Sequence, residues 1–256
     1  MDLIRVERGD GLLLLGLDRP DKRNALDQSM VDEIEQVLRE AHAGPPAILV
    51  VHSTTPGMFV SGADIAELIE RDADAALRAI NAGLFERLEA YRWPTIAVVD
   101  GPALGGGCEL ALACDLRLCS PAARFGQPEL DLGILAGAGG NWRLPQLVGI
   151  GLARRMLYAG EMLDPEQALA SGLVDEVHPS DELLDRAVAL AERIGRRSWR
   201  ALELTKLALR QHRPATTGFD ITAQALLFED DDKRRRMQAF LDRRRPATLS
   251  RDDAPR

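Results

Sequence analysis

Two glutamates are the residues of this 256-residue chain best suited to chemistry, and each sits where a charge is expensive. Glu109 lies inside the apolar helical run Cys108-Glu109-Leu110-Ala111-Leu112-Ala113-Cys114. A carboxylate is costly to bury there unless it is hydrogen-bonded or borders a cavity. Glu129 lies in a turn between apolar stretches, within Phe125-Gly126-Gln127-Pro128-Glu129-Leu130. Two carboxylates at one polar site can divide acid and base roles, because like charge raises one pKa. Taken singly, each also reads as a paired or surface glutamate. Gly105, Gly106 and Gly107 precede Glu109 and leave bare backbone at a helix start. The first N–H groups of a helix lack intrahelical partners and the dipole adds positive charge, so an oxyanion can be received there. The triplet fits close packing of a helix on a strand equally well. A second bare stretch, Phe59-Val60-Ser61-Gly62-Ala63-Asp64, leads into a helix at Ile65. Its Ala63 N–H is a candidate second donor, although alone the segment reads as an ordinary loop.

Other machinery is missing. There is no GxSxG elbow and no phosphate-binding Gly-Lys-Ser/Thr loop, and neither glycine cluster completes GxGxxG, which argues against a dinucleotide cofactor. The histidines, His42, His52, His178 and His212, are scattered and give no metal-ligand spacing. Cys108, Cys114 and Cys119 form no CxxC and fit buried reduced thiols of a cytoplasmic protein. A formal charge of −8 argues against nucleic-acid or membrane-surface binding. No apolar run approaches the ~20 residues that span a bilayer, and the N-terminus shows no secretory signal. The 46% hydrophobic content supplies a sizeable core and excludes a disordered chain.

The elements that must position these residues follow from periodicity. Alternation predicts strands over 3–7 and 12–17 around a Gly9-Asp10-Gly11 turn. A helix over 28–43 has Asp27 as N-cap, an apolar stripe at Met30, Val31, Ile34, Val37, Leu38 and Ala41, and a stop at Gly44-Pro45-Pro46. Strands follow over 47–51, 95–99 and 116–119, with a helix over 104–113. From residue 181 the pattern is helical only, over 181–194, 199–210, 215–228 and 230–244. The run from Glu229 to Arg236 places each acid four residues before a base, as on a solvated helix face. Alternating strands and helices indicate an α/β chain, with a boundary near Gly195.

Four segments resemble the enoyl-CoA hydratase/isomerase (crotonase) superfamily: RPDKRNAL (19–26), FVSGADI (59–65), GPALGGGCELALACD (101–115) and FGQPELDLGILAGAGGNWRL (125–144). The tail MQAFLDRRRP (237–246) is similar to the family's C-terminal helix. The resemblance implies a crotonase-like α/β spiral of ββα units over 1–195 and a helical trimerisation segment over 196–256, assembled as a trimer or dimer of trimers. It implies an acyl-CoA substrate, no permanently bound cofactor, and a thioester enolate held by the N–H groups of Ala63 and Gly106. Glu109 and Glu129 are then the catalytic pair of a 2-enoyl-CoA hydratase, Glu109 activating water and Glu129 either protonating C2 or sharing that water. The coenzyme falls to Lys22, Arg23, Ala25, Phe240, Arg243 and the Ala63-Asp64-Ile65 turn, and Ser61, Leu104, Gly106, Pro128 and Gly137 are the further substrate contacts. Gly137 is expected to open a helix that faces the thioester carbonyl. Another crotonase-type reaction, such as isomerisation, and a non-catalytic binding homologue are the alternatives; retention of both glutamates favours hydration. The chain departs from the family's usual PGAGGTQRL at Ala136, Asn141 and Trp142, and has Ala66 where a lysine is common after ADI. These changes are expected to bear on packing near the acyl pocket and on substrate choice.

Overall fold

A computed structural model describes residues 2–210 and 217–244. Strands β1 (Ile4–Gly9) and β2 (Leu12–Leu17) form an antiparallel hairpin with Ile4 opposite Leu17. Helix α1 (Gln28–Ala43) starts where Asp27 accepts a hydrogen bond from Met30 N at 2.9 Å, and it buries the six residues of its apolar stripe. After β3 (Ile48–Ser53) come α2 (Ile65–Leu68), α3 (Ala73–Leu77) and α4 (Ile80–Glu89). The chain continues through β4 (Thr95–Val99), β5 (Pro102–Leu104), α5 (Gly106–Ala113), β6 (Leu116–Cys119) and β7 (Arg124–Gly126). A 3₁₀ turn at Glu129–Leu132 precedes α6 (Gly140–Ala159), which breaks at Gly149 (φ 75°). Then follow α7 (Pro165–Ala170), β8 (Glu176–Val177), α8 (Ser180–Gly195), α9 (Trp199–Arg210), α10 (Thr217–Phe228) and α11 (Asp231–Arg244).

One sheet runs in the order β1-β2-β3-β4-β6-β8, parallel except at the β1–β2 hairpin. Its central strands are apolar on both faces, as burial under crossover helices requires; α8 packs against β2, β3, β4 and β6. Helix α9 is tied to this body by Lys206, whose Nζ donates to Asp115 Oδ2 at 2.7 Å and to Trp93 O at 3.0 Å, and by Trp199 edge-on to Trp93. Helix α10 lies over α3, and α11 over α2 and the 3₁₀ turn.

The second sheet is a parallel pair, β5 with β7, placing Leu104 opposite Gly126. The sequence predicts helix from residue 104, but Leu104 belongs to β5 and the helix begins at Gly106. Three residues are too few to show a period; pairing with β7 makes this segment a strand. The expectation of a solvated face over 229–236 also changes in part. Asp232 does pair with Arg236 at 2.6 Å. Lys233, however, is buried, its Nζ donating to Arg71 O and lying 4.5 Å from the Phe228 ring centroid. Glu229 instead accepts from Ala73 N at 2.6 Å, and Asp232 also pairs with Arg235. Tertiary contact with the 71–73 segment, invisible to helical spacing, turns this face inward.

Helix α5 approaches Val60 so closely that a Cβ on Gly107 would stand 2.0 Å from Val60 O. Gly107→Ala should therefore destabilise the protein by about 3 kcal/mol, the upper range for overpacking, read as a lowered thermal midpoint. A midpoint equal to the parent's would mean that α5 can shift freely.

Candidate active site

Short ladders bring the chemical segments together. Val60 bridges Ala103, Leu26 bridges Ala63, and Gly105 N donates to Gly126 O at 2.9 Å where β5 and β7 end. The chain leaves β5 into the glycine triplet and leaves β7 into Gln127-Pro128-Glu129, so pairing those strands sets the two motifs side by side. They border a cavity of about 120 Å³. Ser61, Ala63, Ile65, Leu104, Gly106, Glu109, Pro128, Glu129 and Gly137 all line it. A Cβ on Gly106 would stand 3.6 Å from Ala63 N, so the backbones of the two expected donors are adjacent. Among the described residues, neither Ala63 N nor Gly106 N donates to a protein acceptor.

The 19–26 loop is stitched beneath the Ala63 turn. Asn24, buried at φ 53°, donates to Phe59 O at 2.8 Å and Ser53 Oγ at 2.9 Å and accepts from Arg19 N at 2.8 Å. Ser61 N donates to Arg23 O and Leu26 N to Gly62 O. Asp64 caps α2 through Ala66 N, and its other oxygen faces Arg19 at 3.4 Å and Lys22 at 3.7 Å. Lys22, Arg23, Ala25, Asp64, Phe240 and Arg243 do not line the cavity; Lys22 and Arg23 lie on the exposed side of the loop, and Arg243 is exposed on α11.

Glu109 is only 3% exposed. Its Oε1 accepts from Ala138 N at 2.8 Å and from Gly140 N at 2.9 Å. Helix α6 opens at Gly140 rather than Gly137, and its first N–H, with that of Ala138 just ahead of the helix, is turned to Glu109. Two convergent N–H groups at a helix start complement a carboxylate. Glu129 is different. Burial, and then the nearby Glu109 charge, push its carboxyl well above the ordinary carboxylate range. Glycine at 105 makes room for it: a Cβ there would stand 2.9 Å from Glu129 Oε1. The buried Gln127 amide faces the two Glu129 oxygens, and turned so that its nitrogen meets them it donates at 3.0 Å and 3.1 Å. Such an amide can donate to a carboxylate or, turned over, accept from a carboxylic acid.

The cavity wall also holds residues with no sequence signal. Arg71, Asn81, Ile221, Gln224 and Phe228 line it. Asn81 Oδ1 is buried without a partner among the described residues. Gln224 accepts from Leu135 N at 3.1 Å and packs against Gly137, which brings α10 over the site. A second cavity, of about 660 Å³, lies on the other side of Glu129 and is lined by Asn141, Trp142, Leu157 and Tyr158. The departures at Asn141 and Trp142 thus fall on this second cavity and not on the first.

Residues 7–250 match the enoyl-CoA hydratase/isomerase family. The chain is 39% identical over 250 residues to a 2,3-dehydroadipyl-CoA hydratase of Escherichia coli (strain K12), covering 96% of this chain and 98% of that protein. It is 35% identical over 254 residues to a crotonyl-CoA hydratase of Syntrophomonas wolfei, covering 96% and 98%. Its fold is similar to that of an enoyl-CoA hydratase/isomerase from Xanthobacter autotrophicus Py2, with a TM-score of 0.82 and 30% identity over 96% of this chain and 99% of that one.

The raised Glu129 carboxyl has a consequence for stability. Below its ordinary value near 4.5 the group is neutral whether the chain is folded or not. As pH rises through that value the unfolded chain releases the proton and the folded site keeps it, so stability falls until the raised folded value is passed. Glu129→Gln removes this slope. Its melting temperature should exceed the parent's by more at pH 8 than at pH 4; an equal difference at both would show that Glu129 titrates like an exposed carboxyl.

Proposed function

The chain belongs to the enoyl-CoA hydratase/isomerase family and is an enzyme of its hydratase type, and we propose that it adds water across the double bond of a 2-enoyl-CoA thioester to give the 3-hydroxyacyl-CoA. The observation that carries this reading is the contrast between the two glutamates. Glu109 sits on two N–H donors as a carboxylate would, while Glu129 is held toward its protonated form. A carboxyl that can give a proton beside one that can take one is what addition of water requires.

The steps follow. The thioester oxygen accepts from Ala63 N–H and Gly106 N–H, which stabilise the enolate that forms. Glu109 takes a proton from water as the water oxygen bonds to C3. The double-bond electrons move to C2 and the carbonyl, and Glu129 gives its proton to C2. One water is consumed; the proton on Glu109 returns to Glu129 through the site before the next turnover. Lys22, Arg23 and Arg243 would supply local positive charge for the coenzyme's phosphates, and Ala25, Asp64 and Phe240 the remaining contacts outside the cavity. Ser61, Ile65, Leu104 and Pro128 would enclose the thioester and acyl group.

Glu109→Gln and Glu129→Gln should each lower kcat by ~10²–10⁴-fold, the usual worth of a general acid or base. The measurement is loss of the conjugated enoyl absorbance of crotonyl-CoA, with 2,3-dehydroadipyl-CoA as second substrate, since the two relatives are named for these. Near-parental turnover in either folded variant removes that residue from the mechanism.

We also propose that residues 196–256 carry subunit contacts. Leu204, Leu207, Leu209 and Leu226 are 47–73% exposed, more apolar surface than one helical segment usually leaves in water. Sedimentation should give a trimer or hexamer of the 28.0 kDa chain; a monomer at micromolar concentration would refute this.

A further inference from the structure

Arg143 is a buried cation on α6, its side chain 5% exposed. Its Nη2 lies 2.7 Å from Glu89 Oε2 at the end of α4. Its guanidinium carbon lies 4.2 Å from the Trp142 ring centroid, in the arrangement of a cation on an aromatic face. Its Nη1 donates to Ala138 O at 2.8 Å. Ala138 is also one of the two residues whose N–H holds Glu109. The residue is thus fixed from both sides, by Glu109 on its nitrogen and by Arg143 on its oxygen.

The turn needs such a restraint. Gly139 takes φ 113°, a conformation in which glycine supplies freedom but no side-chain contact. A Cβ on Gly139 would stand 2.0 Å from Arg143 Nη1, so the guanidinium fills the space a side chain would take. Gly140 N, the second donor to Glu109, follows directly. If Ala138 and Gly139 rotate, both N–H groups turn away from the carboxylate together.

We propose that Arg143, seated on Trp142 and held by Glu89, is a positioning residue that fixes the 138–140 turn on Glu109 and so aims this carboxylate at water. The inference rests on the reading of Glu109 as the base. Arg143 does not line the acyl cavity, so its effect is on alignment and not on substrate contact.

The test is steady-state hydration of crotonyl-CoA by the full-length enzyme carrying Arg143→Met, Arg143→Lys or Glu89→Gln, beside Glu109→Gln, with hydrogen exchange over 135–142. Misplacing a catalytic group by about 1 Å can cost ~10²-fold. Arg143→Met should lower kcat by that order with KM changed less than threefold, and the 135–142 amides should exchange at least about tenfold faster while those of α5 do not. Arg143→Lys, which keeps the charge but loses the fork, should recover part of kcat. In a Glu109→Gln background, Arg143→Met should add almost no further loss, as expected of groups acting as a unit. If Arg143→Met does not fold, Glu89→Gln and Arg143→Lys decide: a several-fold fall in kcat at constant KM supports the proposal, and unchanged kcat in both overturns it. Parental kcat in folded Arg143→Met with Glu109→Gln inactive overturns this proposal alone. Full activity in Glu109→Gln overturns the reading beneath it.

Discussion

A buried carboxylate resting on two main-chain N–H groups sets the terms for the rest of this molecule. Glu109 sits in a helix with apolar neighbours, and solvation by Ala138 and Gly140 is what makes its burial tolerable. That contact fixes where α6 begins relative to α5. It also separates the two acids, since a second carboxyl brought beside an already solvated carboxylate must keep its proton or stay away. Glu129 comes close because Gly105 lacks a side chain, and its raised pKa follows from where the fold puts it.

The same economy governs the backbone donors. Ala63 and Gly106 face one cavity because Val60 runs beside Ala103 and α5 packs on Val60 with no atom between them. Glycine at 107 serves the approach of helix to chain, whereas glycine at 105 serves both a left-handed turn and the room for an acid. The two readings of the triplet, close packing and oxyanion binding, are therefore compatible: the packing is what delivers the N–H groups.

Much of this was legible in the residues, and the failures have physical causes. Helix α1 ends where Asp27 and Gly44 say it should, and β2, β4, β6 and α9 occupy the predicted spans, because each has a full period or a cap. Strand β5 was not legible, since three residues carry no period and its partner lies twenty residues away. Nor was the burial of Lys233, because i,i+4 spacing describes a helix in water and is blind to what packs against it. Glu109 and Glu129 were each recognisable as odd, but their meeting depends on the β5–β7 pairing, and only resemblance joined them. The wall formed by Arg71, Asn81, Gln224 and Phe228 left no trace, since Asn81, Gln224 and Phe228 are ordinary helical residues and Arg71 lies in the link between α2 and α3. Trp142, beside Glu129 on the second cavity, is also a platform for Arg143, a contact its place in the sequence does not show.

Helix α10 reaches the cavity from a part of the chain distant in sequence from the segments it covers. The large sheet is finished at β8, and Ala63, Gly106, Glu109 and Glu129 belong to sequence that precedes it. Ile221, Gln224 and Phe228, by contrast, come late, anchored by Gln224 on Leu135, Glu229 on Ala73 and Lys233 on Arg71. The cavity wall is thus supplied by a helix outside the central sheet, so the sheet alone does not enclose the cavity.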